Sequence, residues 1–225
     1  MDLHLRQGKF INGILYNSEA WHCLNQEHIE KFELVDKFFL RSLFNSHAKT
    51  SSAYLHLETA TIPIRYIKAS RRLNYLHNIL TRKENEVLSR VYFAQKNKPL
   101  QGDFVKLVES DLLLINQKYD ESLFKSMSKK KLKKFFKLKI KNAAFQYLKS
   151  ERDKKEKVKN ITYTKFKLQK YLKSSLFSNH EVEILSKLRS FSRVIGPEAG
   201  IALQRGSAAA SKPPCLSSCR GRKVI

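Results

Sequence analysis

The sequence predicts an all-α, predominantly helical protein. Three observations carry that prediction: apolar residues recur three or four positions apart through residues 25–80, capping residues stand where helices would begin, and a lysine-rich stretch at 122–173 keeps helical spacing. With 225 residues and 42% apolar content, the chain can bury a core in one or two domains.

Residues 1–13 carry little pattern, and residues 10–16 suit either a short strand or the start of a helix. Asn25 offers a side-chain oxygen to cap a helix that should run to about Phe44. Ile29, Phe32, Val35, Phe39 and Leu43 form its apolar stripe, with Lys31, Lys37 and Arg41 pointing elsewhere. Trp21, just before it, is expected to staple that helix to the body rather than to touch a ligand. Residues 45–52 are rich in Asn, Ser and Thr, which compete for backbone hydrogen bonds and favour turns. Pro63 then suits a first helical position, where its missing N–H costs nothing. The helix that follows packs through Tyr66, Ala69, Leu73, Leu76 and Leu80. Arg65, Lys68, Arg71 and Arg72 then lie away from that stripe, where spacing allows either a solvated face or a contact with negative charge.

A third helix is expected within residues 81–97, ended by Pro99, and a fourth within 102–118, where the apolar residues are too dense for a solvent face. Tyr119, Asp120 and Glu121 read as a loop at a helix end, not as a metal site. Residues 122–173 hold nineteen Lys and Arg against only Glu151, Asp153 and Glu156, a concentrated cationic footprint. Within it Leu132, Phe135, Phe136, Leu138, Ile140, Ala144, Phe145 and Leu148 keep helical spacing. Lys129, Lys130, Lys133, Lys134, Lys137 and Lys141 cover the remaining circumference. The three phenylalanines share the apolar stripe and are expected in the core rather than under bases. Residues 149–159 fit a linker or a helix extension equally, and 161–172 lack the regularity to choose a state. Ser178 with Glu181 makes a capping box for a last helix.

A net charge of +24 attracts polyanions and makes nucleic acid the leading partner. No apolar run approaches the roughly 20 residues that span a bilayer, so no membrane partner is expected. Three cysteines make a disulfide framework improbable, and with no secretory signal pattern the expected location is intracellular, in nucleus or cytoplasm. Residues 196–225 are dominated by Gly, Ala, Ser and Pro and are expected to be disordered. Cys215 and Cys219, with no histidine after them, fall short of the four ligands of a zinc site.

The stretches Ile14-Leu15-Tyr16-Asn17-Ser18-Glu19-Ala20-Trp21, Ile62-Pro63-Ile64-Arg65 and Arg71-Arg72-Leu73, continuing to Tyr75-Leu76-His77, come in an order that resembles the reverse transcriptases of LINE-like (non-LTR) retrotransposons, after the polymerase palm. Arg90-Val91-Tyr92, Gln169-Lys170-Tyr171-Leu172 and Leu188-Arg189-Ser190 extend the resemblance over most of residues 14–190. The resemblance implies the end of a palm connection and thumb-like helices over residues 1–80, a helical linker over 81–121, a lysine-rich helical nucleic-acid-binding region over 122–193 and an unrelated-looking tail over 194–225. It also implies a parent activity of RNA-directed DNA synthesis. The paired aspartates that hold two metal ions in such polymerases are not found here, so the expectation is a non-catalytic fragment with no cofactor of its own. Magnesium would belong to the palm, itself a possible partner. The expected role is contact with the RNA or DNA backbone through Arg65, Lys68, Arg71, Arg72 and the six lysines, without reading sequence. The alternative is a stand-alone basic helical module that binds nucleic acid or an acidic protein.

Overall fold

In the computed structural model, residues 3–19, 26–83, 85–173 and 178–190 are described. The expectations for Trp21, for a cap at Asn25 and for the 196–225 tail with Cys215 and Cys219 lie outside them. Ten helices are present among the described residues. The first, α1, is a continuous helical stretch made of Leu3–Leu5, a π-helical segment Arg6–Ile11, and Asn12–Ile14. Then come α2 (Gln26–Leu43), α3 (Ser52–Thr59), α4 (Ile64–Leu80), α5 (Val87–Asn97) and α6 (Phe104–Leu114). The series ends with α7 (Glu121–Ser126), α8 (Lys129–Asp153), α9 (Lys170–Lys173) and α10 (Asn179–Arg189). The all-α prediction holds.

Helix α4 organises the bundle because α2, α5, α6, α7 and α8 all pack on it. Its Tyr66, Leu73, Leu76 and Leu80 join Tyr92, Val108, Leu112, Phe124, Leu132 and Phe136 in the largest core cluster. Pro63 sits one residue earlier than expected, as the N-cap, where its lack of an N–H is equally harmless. A second cluster joins α2 to α3 through Leu40, Phe44, Tyr54 and Leu55, and a third joins α3 to the end of α8 through Ala53, Leu57 and Leu148.

Three local expectations need correction. Helix α3 follows the turn-favouring stretch 45–52, overlapping it only at Ser52, in a segment for which no element was expected; every residue from Ala53 to Thr59 is buried, so it carries no amphipathic stripe to detect. On α2 the inward face is rotated: Val35 is 47% exposed while Asp36 is 1% exposed. The cause is Arg6, whose Nε and Nη2 donate to the two Asp36 carboxylate oxygens, both at 2.6 Å. Helix α6 buries only one face, with Leu113 left 75% exposed. Asp120 does end a connection, and it also caps α7 by accepting the Leu123 N–H at 2.9 Å, while Glu121 pairs with Lys96 and Lys125.

No helix among the described residues is long and apolar enough to cross a membrane.

Candidate nucleic-acid interface

Helix α8 begins at Ser128, whose hydroxyl accepts the Lys131 N–H at 3.4 Å. Its buried residues Leu132, Phe136, Ile140, Ala144 and Leu148 are each four apart. Four residues turn the helix by about 40° beyond one revolution, so this ridge winds slowly round the axis. The winding lets one helix face α4 and α7 at its start and α3 at its end. Phe136 packs against Phe124 and Phe135, and Phe145 against Phe166, which is where core rings belong. Leu138 departs from the expected stripe and is 60% exposed.

The lysines fall on what is left. Lys129, Lys130, Lys133, Lys134, Lys137 and Lys141 are all exposed, and none forms an ion pair with a carboxylate among the described residues. Lysine stems can lie along the helix while the ammonium groups stay in water. The result is an exposed cationic surface on one helix, carrying charge that no carboxylate among the described residues pairs with.

The cations of α4 behave differently, and the expectation of one shared free face needs correction. Arg65 donates through Nε and Nη2 to Glu33, both at 2.6 Å, and lies over the Tyr147 ring; the Glu33 hydrogen bonds hold its pKa above the usual range. Arg72 is 1% exposed and donates to Asp111 at 2.8 Å. Lys68 is buried beside them, and burial together with the Arg72 charge lowers its pKa. Arg71 donates to the Leu15 carbonyl and to Asn12 Oδ1. A central helix has neighbours on most sides, so each cation is drawn to a different one. Arg65 reaches α2, Arg72 reaches α6, and Arg71 reaches the N-terminal segment.

Only Arg71 is brought to the α8 lysines. A recess of about 320 Å³ is lined by Arg71, Asn74, His77 and Asn78 of α4, by Lys129 and Lys133 of α8, and by the carboxylate-bearing Glu19. His77 is 4% exposed and its Nδ1 has no hydrogen-bond partner among the described residues; burial, then the Lys129 charge, lowers its pKa. Sequence reasoning passed over Asn74 and Asn78. Their spacing from Arg71, three and seven residues, places all three on one face and was the available signal. Comparison of the chain with known protein families, curated proteins and solved structures finds no match.

Proposed function

We propose that the chain binds the phosphate backbone of RNA or DNA along the exposed lysines of α8, without reading base sequence. One observation carries this reading: six exposed lysines share one rigid helix and lack carboxylate partners among the described residues. Polyanion binding releases counterions and relieves the repulsion among those ammonium groups. Arg71 joins them at the recess, while Arg65, Lys68 and Arg72 serve the fold.

The parent context we propose is the thumb and linker of a LINE-like retrotransposon reverse transcriptase. Its support is the ordered resemblance over residues 14–190 and an all-α architecture compatible with a thumb. In that context the chain holds template and product while another region polymerises. The direct test is fluorescence anisotropy with an RNA–DNA hybrid and a shuffled hybrid of equal length. Equal affinities support backbone binding; absence of binding to either removes it. Primer extension by the purified chain with magnesium would overturn the non-catalytic assignment.

A second reading, an acidic protein partner, is favoured by Leu138. This side chain stands among Lys134, Lys137 and Lys141 and offers an apolar contact that a phosphate backbone does not need. Competition between the hybrid and an acidic amphipathic peptide separates the two.

A further inference from the structure

A cleft of about 690 Å³ runs between α2, the first turn of α3 and the end of α8. Three features of its wall suit an anion. The first is the amino end of α3. Ser51 is the N-cap residue in extended conformation, yet its side chain makes no capping hydrogen bond, and the N–H groups of Ser52 and Ala53 meet no acceptor among the described residues. Such an end presents free donors and the positive pole of the helix.

The second feature is independent of the helix. Thr50 lines the same cleft, is 6% exposed, and its hydroxyl has no hydrogen-bond partner among the described residues. Beside it, Arg41 donates through Nη2 to the Thr50 carbonyl at 2.8 Å, while its buried Nε has no partner among the described residues. Buried donors are normally satisfied, so two unsatisfied ones on one wall are unusual.

The third feature is unbalanced charge. Lys37, Arg41, Lys49 and Lys155 line the cleft, and none is ion-paired among the described residues. Burial lowers the pKa of Lys37, and the charges of Arg41 and Lys155 lower it further. Of the carboxylates on the wall, Glu33 is held by Arg65 and Glu151 by Lys154, with Glu30 exposed.

We propose that this cleft is a phosphate-binding site, in which a phosphate group at the amino end of α3 accepts hydrogen bonds from the Ser52 and Ala53 N–H groups and, once their side chains turn into the cleft, from Thr50 and Arg41, while neutralising Lys37 and Lys155. None of the six α8 lysines assigned above lines this cleft. The phosphate can come from a nucleic-acid strand or from a small phosphorylated ligand, since both present the same acceptor oxygens.

Calorimetric titration of the full chain with inorganic phosphate tests the site. Binding is expected, weakened about threefold or more in T50V, which removes one hydroxyl, and about tenfold or more in K49Q/K155Q. K134Q/K137Q removes the same charge from α8 and should change affinity by less than about twofold. Because Lys49 and Lys155 are exposed, K49Q/K155Q tests the site even if T50V fails to fold. No binding up to about 10 mM phosphate, or equal weakening by the two lysine pairs, overturns the proposal. Displacement of phosphate by a short oligonucleotide identifies a strand as the source, and its failure identifies a small ligand; the site stands in both cases. Loss of hybrid binding in K134Q/K137Q with phosphate binding intact separates this site from the α8 surface.

Discussion

Arg72 of α4 and Asp111 of α6 form an ion pair inside the bundle, Nη1 to Oδ2 at 2.8 Å, with side chains 1% and 8% exposed. Burial pushes the Asp111 carboxyl above its ordinary pKa, and the Arg72 and Lys68 charges oppose that push. Removing one partner of such a pair leaves the other charge desolvated and uncompensated. D111A should therefore cost about 3–5 kcal/mol in urea unfolding, while the apolar replacement R72M/D111L should cost much less. A loss below about 1 kcal/mol for D111A would place the pair outside the set of interactions that hold α4 to α6.

His56 gives the fold an acid limit. Its Nδ1 lies 2.9 Å from the Thr61 hydroxyl and 3.1 Å from the Thr61 carbonyl, and its Nε2 lies 3.8 Å from Asp36. Burial is the largest effect and lowers its pKa to about 4, with Asp36 opposing and Arg6 assisting. Unfolded, the ring takes a proton below about pH 6.5, whereas in the fold it stays neutral down to about 4. Stability should fall by about 3 kcal/mol as pH drops through that window. His77, also depressed by burial, acts in the same direction, so H56Q should flatten the decline without abolishing it. An unchanged pH profile in H56Q, measured by urea unfolding between pH 7 and 4, would contradict this assignment.

Glu58 ties the C-terminal part of the described chain to α3. Its carboxylate is 0% exposed and accepts hydrogen bonds from Tyr163, from Tyr171 at 2.6 Å, and from Arg189 Nε and Nη2 at 3.1 and 3.0 Å. Y171F should cost about 1 kcal/mol and E58A about 3 kcal/mol or more, because E58A leaves several donors unpaired. Limited proteolysis gives a local readout. Cleavage at the lysines of residues 154–173 should accelerate in E58A and stay slow in Y171F.

How much of this was legible in the sequence depends on what each residue faces. Helix α8 could be read because its two sides differ in chemistry, and the Ser178–Glu181 capping box announced α10. Helix α3 could not, because a helix covered on every side has no polar face to set against an apolar one. The α4 cations stand outside the leucine pattern in the sequence, but spacing along one helix says nothing of Glu33 or Asp111 elsewhere in the chain, and Lys68 and Arg72 are buried. The buried Asp36 shows the same limit, since its place follows from Arg6, thirty residues away. The uncapped amino end of α3 was hidden for a related reason: residues 45–52 read as a polar connection, and the cleft they line exists only once α2 and α8 flank it.

Salt dependence tests the central claim most directly. With about six phosphates engaged by α8, the plot of log affinity against log salt for an RNA–DNA hybrid should have a slope near about −5. The variant K130Q/K134Q/K137Q/K141Q removes four of those contacts at exposed positions and should bring the slope to about −2. A slope near zero in the parent chain, or an unchanged slope in the variant, would contradict backbone binding by this helix.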